Sequence, residues 1–250
     1  MSLVVREVQA KSILSRSGIE GISYTINPYT GCAHACRYCY ATFMKRYTGH
    51  TEPWGQFVDV KVNAPSLLLR QLQRAPRGTV IMSSVTDPYQ PIEATWRLTR
   101  SCLTLLSDHE FPVQILTKSP LVLRDIDLFK TFTDIEVGVT ITTESDRVRR
   151  VFEPNAPTIA ERLHALKTLH EHGVSTYAFV GPLLPMQPPL LAESIRPYVG
   201  RVLIDSMNYL SKTLRLYKAL RLTEWLDAQH LDRIVGELCG SLHGVPVEIC

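Results

Sequence analysis

No stretch of eighteen consecutive apolar residues occurs in the chain, so no membrane-spanning helix and no membrane partner are expected. The opening segment MSLVVREVQAKSILSRSGIEGISYT interleaves charges with short apolar pieces and lacks the apolar core of a secretory signal, which makes the cytoplasm the expected compartment. Charge of one sign is also scarce. A net +3, from 27 bases and 24 acids, is too small to imply nucleic acid unless the bases gather in a patch. Internal repeats, low-complexity tracts and a Pro-rich linker are absent. The expectation is one domain over residues 1–250, with a core at about 20–210 and a C-terminal helical extension at about 211–250.

Cysteine is sparse as well, with six in 250 residues, yet three of them crowd into NPYTGCAHACRYCYATF as Cys32, Cys36 and Cys39. In a reducing compartment such thiols are metal ligands or redox groups rather than disulfides. Structural zinc takes four ligands, usually from two separated pairs, and no second CxxC or HxxxH pair follows. His34 is a conceivable fourth ligand, but Cys32 and Cys36 bracket it awkwardly for wrapping one ion. Three thiolates suit a 4Fe-4S cluster whose fourth iron stays open to a cofactor or substrate. Zinc and a thiol redox role remain the alternatives, and with them a non-catalytic electron carrier or interaction module.

Six β-branched runs alternate with helical periodicity: 22–27, 79–84, 113–119, 135–143, 174–181 and 201–207. Between them, Leu98, Cys102 and Leu105 mark one helix, and Ile159, Leu163, Leu166 and Leu169 another. The second is expected to open at NAPT with Pro157 in its first turn and to stop at Gly173. Such alternation predicts an α/β fold in which parallel strands form an open or partial barrel with helices outside. Working residues then sit at the C-terminal ends of the strands, where the cysteine loop comes first and SSVTDPYQ second.

CAHACRYC resembles the CxxxCxxC signature of radical SAM enzymes, including an aromatic, Tyr38, before the third cysteine. The wider strings NPYTGCAHACRYCYA, SSVTDPYQPIE, LTKSPLVLRDIDL and FEPNAP are similar to the branch related to spore photoproduct lyase, over about residues 22–205. The resemblance implies a partial (β/α)6 barrel, a 4Fe-4S cluster on Cys32, Cys36 and Cys39, and S-adenosylmethionine as cofactor. It also implies a flavodoxin- or ferredoxin-type reductant. By position it implies Tyr38 near the adenine, Ser83 and Ser84 near the methionine amino group with Asp87 close by, Lys118 near the methionine carboxylate, and Thr140 and Thr142 near the ribose. One departure stands out. The lyase carries a hydrogen-donating cysteine where this chain has Ser84, and a serine O–H is too strong a bond to serve, so lesion repair by that route is put in doubt. The substrate is left open, with nucleic acid as one possibility.

Asp87, Gln90 and Glu93 cluster past the second strand, and Asp87 is favoured for function, with Tyr40 a second candidate. Cys102 reads as an inert core thiol, while Cys239 and Cys250 carry no assignable role. His34 reads as a loop residue, and Glu144 and Glu153 as cavity groups or helix caps without a choice between them. The bases of SKTLRLYKALRLTEWL form a drifting band that reads as solvated helix surface, with Leu214, Tyr217, Leu220 and Trp225 as its covering side and a nucleic-acid contact left open, while one arginine of DRVRRVF is a candidate to face the cofactor carboxylate.

Overall fold

The computed structural model describes residues 3–250. In chain order the strands are β1 (Val4–Val8), β2 (Leu14–Arg16), β3 (Tyr24–Ile26), β4 (Tyr29–Thr30), β5 (Phe57–Lys61), β6 (Val80–Met82), β7 (Val113–Thr117), β8 (Ile135–Thr140), β9 (Thr176–Val180), β10 (Arg201–Ile204) and β11 (Val247–Ile249). The α-helices are α1 (Ala64–Leu72), α2 (Glu93–Trp96), α3 (Leu98–Asp108), α4 (Ile126–Phe129), α5 (Asp146–Phe152), α6 (Ile159–Glu171), α7 (Pro188–Ile195), α8 (Leu210–Leu220) and α9 (Ala228–Ser241). None is long and apolar enough to cross a membrane among the described residues.

All six anticipated strands form, and they lie side by side in parallel as β3, β6, β7, β8, β9 and β10. Two further strands extend the sheet: β2 runs antiparallel beside β3, and β11 parallel beside β10. A separate three-stranded sheet joins β1, β5 and β4. The short strands β1, β2, β4 and β11 carry no long apolar run, which is why periodicity alone misses them. Residues 211–250 hold most of α8, all of α9 and the strand β11, which pairs with β10 at the edge of the sheet.

Side-chain alternation along the strands decides what each face does. Val80, Met82, Val113, Ile115, Ala178, Val180, Val202 and Ile204 are buried in one core that runs from Ile13 to Leu242. Their neighbours Ile81, Gln114, Leu116, Tyr177, Phe179 and Leu203 line a cavity on the other face. The same sheet therefore supplies both packing and a site.

Helix α6 begins two residues later than a first-turn Pro157 suggests. Thr158 is the cap: its hydroxyl accepts from the Glu161 N–H at 3.2 Å, and the Glu161 carboxylate accepts from the Thr158 N–H at 2.7 Å, so Pro157 stands outside the first turn. Gly173, at φ +77°, ends it as expected. Helix α3 buries Cys102 completely. In α8 the covering side is Thr213 and Tyr217, four residues apart, with the Tyr217 ring 5.0 Å from that of Phe152. Leu214, one step of about 100° further round, faces solvent instead.

Candidate functional site

The cysteine loop leaves β4 through Gly31, whose φ of +90° and close approach to Phe57 require glycine: a Cβ there would stand 2.4 Å from the Phe57 carbonyl oxygen. Gln90, fully buried, clasps the loop. Its carbonyl accepts from the Ala33 N–H at 2.9 Å and its amide donates to the Gly31 oxygen at 3.2 Å, while the Thr86 hydroxyl donates to the same oxygen at 2.6 Å. The segment SSVTDPYQPIE is thus the brace of the loop. Gln90→Ala leaves the Ala33 N–H without its partner, an expected cost of about 1–3 kcal/mol. Reconstituted variant protein should hold less iron per chain than wild type, and equal iron content with an unchanged melting temperature would refute the clasp.

Cys32, Cys36 and Cys39 all line the sheet cavity, whose volume is about 390 Å³. Among the described residues no three His, Cys, Asp or Glu side chains converge on a point that could hold a single metal ion. Burial pushes the Cys36 thiol well above its ordinary range, against the pull of Lys118, and burial with the neighbouring Cys32 raises Cys39 to about 11. A bound cation is what brings such groups to the thiolate form.

His34 proves more than a loop residue. It is 1% exposed, its Nδ1 lies 3.4 Å from the Asp87 carboxylate, and its Nε2 has no partner. Burial alone would keep it neutral, but Asp87 and Cys32 raise it to about 10. The Asp87 carboxylate also accepts from the Thr117 hydroxyl at 2.6 Å, the Lys118 N–H at 2.8 Å and the Tyr89 N–H at 2.9 Å. Against burial, the facing His34 first and then the bonds from Thr117 and Lys118 hold it down near 2. Asp87 therefore fastens the ends of β6 and β7 together.

The two serines after β6 differ. The Ser84 hydroxyl is engaged by Thr25 at 3.0 Å and Asn27 at 3.3 Å, and its carbonyl accepts from the Tyr40 hydroxyl. Ser83, 6% exposed and on the cavity wall, has an unclaimed hydroxyl. Thr140 also lines the cavity, whereas Thr142 lies behind the wall with its hydroxyl 3.4 Å from Glu153. Cys250 reaches the cavity from the end of β11, and Cys239 packs against the core.

A fully buried carboxylate, Glu153, sits at the hub. It accepts from the Tyr38 hydroxyl and from Arg162, and the Lys118 ammonium lies 3.9 Å away, also 5.9 Å from the Tyr38 ring centre. Burial would raise Glu153, but Arg162 and then Lys118 hold it below its usual value. For Lys118 burial is likewise outweighed, by Cys36 and Glu153, and it is held in the charged form. Two cations face one carboxylate. The surplus positive charge stands beside Cys36, a ready partner for an anion. Neither Arg162 nor the hub role of Glu153 emerged from the sequence; the only available signal was the placement of Glu153 in FEPNAP.

Residues 26–189 match the family model described as the Radical SAM superfamily. The chain belongs to the radical SAM superfamily. This radical SAM chain is 44% identical over 179 residues to an uncharacterised protein of Methanocaldococcus jannaschii, covering 72% of this chain and 67% of that one. It is 31% identical over 194 residues to a Mycobacterium tuberculosis protein, of whose length it spans 57%. A Pseudomonas phage M6 protein named radical SAM Nalpha-GlyT isomerase is 24% identical over 161 residues, which cover 63% of this chain and 32% of that one. In structure the radical SAM chain is similar to spore photoproduct lyase complexed with dinucleoside spore photoproduct. The TM-score is 0.70 at 15% identity, over 98% of this chain and 82% of the lyase. The mixed α/β architecture with its parallel sheet is therefore the radical SAM fold.

Proposed function

We propose that the chain holds a 4Fe-4S cluster on Cys32, Cys36 and Cys39, binds S-adenosylmethionine in the adjoining cavity, and acts by hydrogen abstraction from its substrate. When bound, cluster and cofactor supply the chemistry: one electron from a flavodoxin- or ferredoxin-type reductant yields methionine and a 5′-deoxyadenosyl radical that takes the hydrogen. The observation that carries this reading is the gathering of three thiols, one unclaimed buried hydroxyl and one surplus cation around a single cavity. Lys118 suits the methionine carboxylate, and Ser83 rather than the engaged Ser84 suits the amino group. Tyr38, its hydroxyl held by Glu153, offers its ring to the adenine, and Thr140 is the threonine on the wall for the ribose.

Lys118→Met tests this arrangement. Bonds to charged groups contribute about 1.5–3 kcal/mol, so S-adenosylmethionine should bind roughly 10- to 150-fold more weakly in equilibrium dialysis. Undiminished affinity would remove Lys118 from the site. The function itself is tested by anaerobic reconstitution with iron and sulfide, addition of S-adenosylmethionine and dithionite, and chromatography for 5′-deoxyadenosine. A cluster that assembles without any such product would favour a non-catalytic iron-sulfur carrier, a role for which the cavity has no use.

A nucleic-acid substrate is a second reading. It is supported by the fold shared with a lyase complexed with a dinucleoside photoproduct. Repair by a cysteine donor at the position of Ser84 is disfavoured, because that hydroxyl is a poor hydrogen-atom donor and is already engaged by Thr25 and Asn27.

A further inference from the structure

Among the described residues, two side chains on the cavity wall hold a buried polar atom without a hydrogen-bond partner, Ser83 at its hydroxyl and His34 at Nε2. Leaving such a group unpaired costs about 1–3 kcal/mol, so a wall that keeps one open has a use for it. Ser83 is accounted for by the methionine amino group. His34 is not, because no contact assigned to S-adenosylmethionine calls for an imidazole inside the cysteine loop.

The chain holds this ring with care. His34 stands between Cys32 and Cys36, and its flanking backbone is pinned. The Ala33 N–H donates to the Gln90 side chain at 2.9 Å, and the Ala33 carbonyl accepts from the Asn155 amide at 3.1 Å. The His34 carbonyl accepts from the Asn155 backbone N–H at 3.3 Å. Ala35 then turns left-handed at φ +55°, with Gly55 packed so close that a Cβ there would stand 2.3 Å from the Ala35 Cβ. On the ring itself, Nδ1 faces the Asp87 carboxylate at 3.4 Å, and Asp87 is fixed in turn by the Thr117 hydroxyl and by two backbone N–H groups. Nδ1 is therefore committed, and Nε2 is left to whatever the cysteines hold.

Two uses are open to Nε2. With a lone pair it would ligate a metal ion, and a carboxylate behind the other nitrogen is the usual support for such a histidine. Against that use, no three His, Cys, Asp or Glu side chains converge on a point for a single ion among the described residues. With an N–H it donates. The anionic sulfur of a cluster on the neighbouring cysteines is the acceptor of matching charge, and Asp87 balances the ring from its other side.

We propose that His34, oriented by Asp87, donates from Nε2 to sulfur of the cluster held by Cys32, Cys36 and Cys39, and thereby makes that cluster easier to reduce. It rests on the reading of the loop as a cluster site and deepens it by naming the residue that sets the potential at which the reaction can begin. The step is a one-electron reduction: the electron comes from the flavodoxin- or ferredoxin-type reductant and stays on the cluster, and His34 neither gains nor loses a proton. Reduction adds negative charge to the cluster, and a hydrogen bond to its sulfur stabilises the reduced state more than the oxidised one.

The test is a redox titration of the reconstituted protein at one fixed pH, without S-adenosylmethionine, followed by electron paramagnetic resonance of the reduced cluster. His34→Leu should make the cluster at least tenfold harder to reduce, a downward shift of about 59 mV for one electron. His34→Gln carries an amide N–H to about the place of Nε2 and should recover at least half of that shift. His34→Asn keeps an amide that reaches only about as far as Nδ1, and should behave as the leucine variant does. If leucine prevents assembly, the glutamine and asparagine variants give the same comparison. Iron per chain and a melting curve for each variant separate a changed potential from a lost cluster or a lost fold.

A wild-type potential in His34→Leu would overturn the proposal. So would a glutamine variant no easier to reduce than the asparagine one, because lost packing rather than a lost donor would then have moved the potential. Loss of the cluster from all three variants, with melting curves unchanged, would make His34 part of the cluster's binding and would also overturn it. Wild-type protein that assembles no iron-sulfur cluster sinks the reading of the site itself, whereas a cluster whose potential ignores His34 sinks only this proposal.

Discussion

Cys36→Ala is expected to reduce 5′-deoxyadenosine formation to the level of a no-protein control and to prevent assembly of an intact cluster. Cys36 is the middle thiol of a loop that supplies three ligands and no spare among its own residues, and each lost thiolate leaves an iron corner without a protein bond. The variant should fold. Cys36 only packs at the edge of the core, and alanine there removes one half-buried sulfur. The checks are iron and sulfide per chain, the visible absorption of the reconstituted protein, and a thermal melt. Wild-type iron content in the variant would show that Cys36 is not a ligand and would reopen the zinc and redox readings.

Glu153→Ala is expected to destabilise the fold by about 3–5 kcal/mol, the usual consequence of removing one partner from a buried ion pair. Arg162 is fully buried and donates to Glu153, to the Thr140 carbonyl at 3.2 Å and to the Pro157 carbonyl at 3.0 Å. Without the carboxylate its charge is left with neutral oxygens only, and the Tyr38 and Thr142 hydroxyls lose an acceptor. Lys118 and Arg162 would then stand close together with nothing negative between them. The double variant Glu153→Leu/Arg162→Leu should recover much of the loss, because an apolar pair carries no desolvation penalty. Urea titrations measure both. A loss under about 1 kcal/mol in Glu153→Ala would mean that the hub does not hold the fold. Tyr38 and Lys118 come from the cysteine loop and the end of β7, so the same variant should also weaken S-adenosylmethionine binding.

Features carried by residues near one another in the chain were open to inspection. The CxxxCxxC spacing, the six β-branched runs, the α3 and α6 periodicities and the stop at Gly173 are all local patterns, and all appear where the spacing put them. The Pro157 start failed for a local reason too, because the Thr158 and Glu161 capping box is a stronger start signal than a proline. The outward turn of Leu214 shows the limit of a helical pattern: which stripe is buried depends on what packs beside it, here Phe152.

The site is different. Tyr38 and Glu153 are 115 positions apart, Lys212 and the Cys39 carbonyl 173, and the Gln90 clasp spans 57 to reach Ala33. No periodicity encodes such pairs. The amino-acid sequence by itself determined the positions and parallel direction of the six central strands and the clustering of three thiols in one loop. Backbone propensity and ligand spacing act over a few residues, which is why these were legible. Tertiary structure alone decided that Glu153 faces Arg162 and Lys118, that Ser83 rather than Ser84 keeps a free hydroxyl, and that Lys212 reaches the Cys39 carbonyl. Buried charges and hydroxyls choose partners by proximity after the sheet has closed over them, and proximity across the sheet is set by packing.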